Sequence, residues 1–217
     1  NEKKIGSHSD LVCFSFHPRK VITTGDGGMV TTSNQKFSER LKLLRQHGMS
    51  VNDRVRHEST KVIFEEYSEL GYNYRMTDIQ ASVGIHQLAK FDTIVRERRK
   101  IALKYIKELK KYDFIKLPIE PEGIFSNYQA FPIYLNKSCP ISRNNFMQLL
   151  LDEGISTRRG IMNAHREPAY KHMYLHSLPI SEDLADNSVL LPLYHPMSDE
   201  DVNYVLSNIS KIIDSNF

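Results

Sequence analysis

The first regular pattern along the chain is an apolar run, Leu11 to Phe16, with aromatic and β-branched members, which predicts a buried strand. Residues 17–28 hold Pro18, Gly25, Gly27 and Gly28 and read as a loop. Residues 28–32 predict a second strand, paired with the first as a hairpin or sheet corner. Over 34–47, Phe37, Leu41 and Leu44 fall at helical spacing, with Asn34 as cap and Gly48 as stop. Residues 49–70 are polar and aperiodic, which predicts a surface loop. Thr77 followed by Gln80 is the signature of a capping box. From Ile79 an apolar stripe runs through Val83, Phe91, Ile94, Val95, Ala102, Tyr105 and Leu109. It predicts a long helix to about Lys111, broken near Lys90 to Asp92. The charged run Arg96 to Lys100 inside it reads as a solvated helix face.

After Tyr112 the pattern is mixed. Residues 128–135 predict a strand, and Pro132 places it at a sheet edge, because proline cannot donate to a ladder. A helix over 142–153 is stopped by Gly154, and 155–161 predicts a further strand. Helices start at Ser181 and at Ser198, where Asp199, Glu200 and Asp201 complement the helix dipole. The expected organisation is a partial first domain over 1–76, a linking helix over 77–112 and a small α/β domain over 113–217.

Composition narrows the function classes. The chain has 217 residues, 40% hydrophobic and 25% charged, with a net charge of +3. Near-balanced charge argues against a dedicated nucleic-acid or anionic-membrane binder. Cys13 and Cys139 form no C-x-x-C pair, so a disulfide framework and a cysteine zinc site are not expected. No apolar run approaches the roughly 20 residues that span a bilayer, and no signal peptide is recognisable. A cytoplasmic setting is the expectation. Residue 1 is not Met, which suggests a piece of a longer protein.

Several chemistries lack support. His172 and His176 are spaced i, i+4 without a metal-binding motif around them, so no metal site is expected. Gly25–Asp26–Gly27–Gly28 matches neither the dinucleotide fingerprint nor the Walker phosphate loop. There is no G-x-S-x-G nucleophile elbow. The informative stretch is Ser15–Phe16–His17–Pro18–Arg19–Lys20, followed by Thr23–Thr24–Gly25–Asp26–Gly27–Gly28. A lysine on a loop after an apolar strand can be partly desolvated. Its neutral amine then attacks carbonyls, as Schiff-base chemistry requires. Ser15 can offer a hydroxyl to an anion.

This run resembles the lysine segment of the DegT/DnrJ/EryC1/StrS sugar aminotransferases, with its S-F-H-x-x-K and T-x-G-x-G-G pattern. Gly71 to Gln80 is similar to that family's G-x-N-x-R-M-x-x-x-Q block. Gly154–Ile155, Pro168–Ala169–Tyr170, Leu191 to Tyr194 and Met197 to Val202 extend the likeness to the C-terminus. The resemblance implies the C-terminal part of an α/β, fold-type-I transferase dependent on pyridoxal 5'-phosphate. Its parts would be an incomplete large-domain sheet, a long linking helix and a small α/β domain. It also implies that Lys20 holds the cofactor and that Ser15 binds its phosphate. Asn73 would reach the phosphate of a neighbouring subunit, making a homodimer or higher assembly. His17, Tyr74 and Arg75 become candidates for substrate contacts. Arg158 and Arg159 become candidates for a nucleotide diphosphate, since guanidinium matches phosphate oxygens. The implied substrates are a nucleotide-linked keto-sugar and an amino donor, glutamate.

In that family a substantial segment precedes the lysine. It carries the phosphate-holding residues, the ring that stacks on the cofactor and the acid that pairs with its pyridinium nitrogen. Nothing upstream of Ser15 supplies these, so the isolated chain is expected to be inactive or nearly so. Alternatives are a sugar dehydratase of the same family and a non-catalytic binding module of the same fold. Retention of Lys20 favours transamination over dehydration.

Overall fold

A computed structural model describes residues 3–51, 53–170, 172–173 and 176–216. The chain divides into two compact units, Asn1–Phe91 and Asp92–Phe217.

In the first unit, β1 (Val12–Ser15) and β2 (Gly28–Thr31) pair antiparallel, Ser15 opposite Gly28. The predicted hairpin is present, but it is not buried. Phe14 is 42% exposed and Met29 47%, because no described residue of the unit covers that face. Helix α1 (Gln35–Leu44) is capped as expected, with the Asn34 side chain accepting from the Lys36 and Phe37 amides. The expected loop over 49–70 contains a short helix, α2 (Asp53–Glu58), too brief to show a period. Helix α3 (Asp78–Ala89) opens on the predicted Thr77–Gln80 capping box.

Helix α4 (Phe91–Leu109) follows after the break at Lys90. Its buried stripe runs through Ile94, Val95, Ile101, Ala102, Tyr105 and Leu109, and the last four build the core of the second unit. The run Arg96–Lys100 is not a uniformly solvated face. Arg98 is 7% exposed and donates to the carbonyls of Tyr128, Gln129 and Leu193. Burial pulls its pKa down. Arg99 instead forks onto Glu120, at 2.6 and 2.9 Å, with its guanidinium 3.8 Å from the Phe125 ring centre.

A four-stranded antiparallel sheet packs on this helix in the order β3-β4-β6-β5. Strand β3 (Ile115–Lys116) and β4 (Phe131–Leu135) precede α5 (Arg143–Asp152) and β5 (Arg158–Arg159). Helix α6 (Pro179–Asn187), β6 (Ser188–Leu191) and α7 (Asp199–Asp214) complete the unit. Phe131, Ile133 and Leu135 alternate into the core, and each such burial contributes roughly 2 kcal/mol. Pro132 is not on an edge strand, since β4 lies between β3 and β6. It is tolerated because β3 pairs only with Tyr134 and Leu135, leaving β4 at Pro132 a partner on one side alone. The predicted strand over 155–161 shrinks to two residues. Helix α6 starts at Pro179, ahead of Ser181, because proline suits a first helical turn. Helix α7 opens on a second capping box, Ser198 with Asp201.

Candidate active site

The hairpin connection, residues 16–27, is held by its own backbone. The Phe16 amide donates to Gly27 O at 2.8 Å, and the Thr24 amide to Phe16 O at 3.1 Å. The Thr23 hydroxyl donates to that same Phe16 oxygen at 2.7 Å. Thr24 is buried and its hydroxyl donates to Asp26 O. Gly27 has φ +151°, and a Cβ there would lie 2.6 Å from Thr24 Oγ1. Only glycine fits this closure.

Within that frame, Ser15, His17 and Lys20 share one tight turn. Ser15 Oγ accepts from the His17 amide at 3.4 Å, and His17 Nδ1 accepts from the Arg19 amide at 3.2 Å. The Lys20 amide donates to His17 O at 2.9 Å. The Lys20 side chain is exposed rather than partly desolvated as the sequence suggested. The described residues of the unit hold its backbone but place nothing over its amine.

Residues 71–76 are fixed separately. Gly71 crosses Gly48 so closely that a Cβ would lie 2.0 Å from the Gly48 nitrogen. The amides of Tyr72 and Tyr74 donate to Leu44 O and Arg45 O at 2.7 and 2.9 Å. They satisfy carbonyls that the end of α1 leaves unpaired. Asn73 forms a bridge with Gln46. It precedes α3 by a few residues, and Thr77 with Gln80 caps that helix. The Tyr72 and Tyr74 rings stack at 5.1 Å, and alternation turns Asn73 away from them. Asn73, Tyr74 and Arg75 are all exposed.

A groove of about 1090 Å³ runs between the hairpin face and α1, with Tyr74 and Arg75 on its rim. Ser15, His17, Lys20 and Asn73 do not line it. Its floor is apolar strand surface, which marks an uncovered sheet face rather than a cofactor pocket.

Arg158 and Arg159 belong to the second unit. As adjacent residues of β5 they point to opposite sides of the sheet, so they do not form one clamp. Arg159 donates to Glu167 at 3.1 Å. Nearby, Glu182 accepts from the Leu178 amide and from His165, and the two bonds lower its pKa in that order. His172 lies in a turn rather than on a helix, and Lys171, Tyr174 and Leu175 lie outside the described residues. Among the described residues no cluster suits a metal ion, and no helix is long and apolar enough to cross a membrane.

Residues 1–210 match the DegT/DnrJ/EryC1/StrS aminotransferase family. The chain belongs to that family. Its relatives include the spore coat polysaccharide biosynthesis protein SpsC of Bacillus subtilis, 28% identical over 98% of this chain and 56% of the relative. A UDP-4-amino-4,6-dideoxy-N-acetyl-beta-L-altrosamine transaminase of Campylobacter jejuni is 31% identical over 98% of this chain and 54% of its own. Among solved structures, DesV of S. venezuelae in complex with a ketimine intermediate superposes with a TM-score of 0.84. It is 25% identical, over 98% of this chain and 54% of that one. The chain thus spans about half the length of the curated relatives it matches, and its mixed α/β fold is a partial fold of such enzymes. The run that resembles the family's lysine segment forms the hairpin connection described above. Sequence reasoning missed the helix face beneath it. Gln80, Gly84 and Gln87 of α3 all meet residues 23–26, and only their i, i+4, i+7 spacing hinted at a shared face.

Proposed function

We propose that this chain is the C-terminal part of a pyridoxal-phosphate aminotransferase. The whole enzyme would transfer an amino group from glutamate to a nucleotide-linked keto-sugar destined for surface polysaccharide, in the cytoplasm. The observation that carries the reading is Lys20, presented on a backbone-held turn that follows directly from the strand end bearing Ser15. A primary amine and a hydroxyl are the donor set that the cofactor's aldehyde and phosphate require. When bound, the cofactor supplies an electron sink. Lys20 Nζ would hold it through its aldehyde and, once released, would carry a proton from the α-carbon of the amino donor to the bound group. Ser15 Oγ donates to the phosphate. Asn73 reaches the phosphate of a second subunit, so the working form is a homodimer or a higher assembly. His17, Tyr74 and Arg75 contact substrate at the rim. Arg158 or Arg159, on opposite sides of the sheet, offers charge for a nucleotide diphosphate.

The test is to mix the chain with pyridoxal phosphate, reduce with borohydride and map the labelled peptide. Selective label on Lys20, lost in Lys20→Ala, is the expected result. Weak, even labelling of many lysines would overturn the reading for this chain and shift the test to the longer protein.

A further inference from the structure

Gln80 uses both ends of its side-chain amide. Oε1 accepts from the Thr77 amide and from the Thr77 hydroxyl, each at 3.0 Å, and Thr77 Oγ1 accepts from the Gln80 amide at 3.2 Å. Nε2 donates to Asp26 O at 3.0 Å. That carbonyl also accepts from buried Thr24, at 2.7 Å. On the same face of α3, Gln87 Oε1 accepts from the Thr23 amide at 3.4 Å. The Thr24 methyl lies 3.0 Å from where a Cβ on Gly84 would be. A capping box needs only an acceptor at its third helical position, and glutamate serves there as well as glutamine. The donor half of Gln80 is therefore surplus to capping, and it is directed at the loop.

We propose that Gln80 is a positioning residue for Lys20. Its amide ties residues 23–27 to the start of α3. Through the bond from the Thr24 amide to Phe16 O and that from the Phe16 amide to Gly27 O, it fixes the strand end and turn that carry Ser15 and Lys20. Because 71–76 runs directly into α3, the same amide keeps the lysine turn in register with Asn73. This rests on reading Lys20 as the cofactor-holding lysine.

The variant that isolates the tether is Gln80→Glu in the full chain. Glutamate keeps the capping acceptor and loses the donor. Helix content by circular dichroism is expected to stay at the wild-type level. Without ligand, hydrogen exchange at the Lys20 and Thr24 amides is expected to rise about fivefold, the loss of one neutral hydrogen bond. Borohydride-fixed pyridoxal-phosphate label on Lys20 should fall by a similar factor. Gln87→Ala, which removes a second loop contact without touching the cap, should shift exchange the same way by about twofold. Unchanged exchange in both variants overturns the tether. Faster exchange with undiminished Lys20 label overturns the positioning role. Failure of the cofactor reading shows elsewhere, as even labelling of many lysines in the wild-type chain, while the ligand-free exchange still decides the tether.

Discussion

Residues of one charge class do different work here according to what surrounds them. Adjacent arginines on α4 show it: Arg98 is solvated by three carbonyls, whereas Arg99 depends on a carboxylate. The Arg99 hydrogen bond, followed by the Ser126 amide, holds the Glu120 pKa below its usual 4.5. A depressed carboxylate pKa adds stability above the unfolded value and loses it as pH falls through the folded one. Glu120→Gln should therefore melt earlier than wild type near neutral pH, with the gap closing as pH drops below about 4.5. Thermal melts across pH read this, and a gap of constant size would refute it. The contrast between the two arginines was not legible in the sequence, where Arg96 to Lys100 is one charged run. Only the fold decides which of five charged side chains turns inward.

At the scale of elements, capping chemistry was the most legible feature. Asn34, Thr77 with Gln80, Ser142 and Ser198 each start a helix, because the signal is local. Short elements were not. Strand β3 has two residues, too few for any period, and β5 keeps only two of the strand read over 155–161; both exist because longer neighbours offer ladder partners. Pro132 misled for the same reason, since edge character there belongs to a stretch of β4 rather than to the strand. At the candidate site, the segment around Lys20 stood out by its motif, whereas its contacts with α3 could not be read. Those contacts use side-chain amides and a glycine, none of which alters the hydrophobic pattern. Within α5, Phe146 is fully enclosed and Leu151 is 55% exposed. Phe146→Ala should cost about 3–5 kcal/mol and Leu151→Ala under about 0.5 kcal/mol in urea unfolding. Equal losses would mean that α5 does not pack as described.

Considered whole, the molecule distributes its apolar burial unevenly. The second unit encloses a core drawn from three helices and the sheet, whereas the first buries little beyond Met49. It leaves Phe14 and Met29 on one face of the hairpin, Val30 on the other, Leu11 ahead of β1, and Ile79, Ile85 and Leu88 on α3 in water. Surfaces of this kind associate. Sedimentation is expected to show assemblies that grow with concentration and weaken in Val30→Lys, and a monomer at all concentrations would count against it. The same unevenness sets what different selections would preserve. Screening random variants for a folded, soluble chain would constrain the interior of the second unit and ignore Lys20 and Asn73, whose side chains are exposed. Such a library would drift away from the lysine motif while keeping its shape. On the function proposed above, only a screen that rewards chemistry would hold those positions fixed, so the two screens together would separate residues kept for architecture from residues kept for reaction.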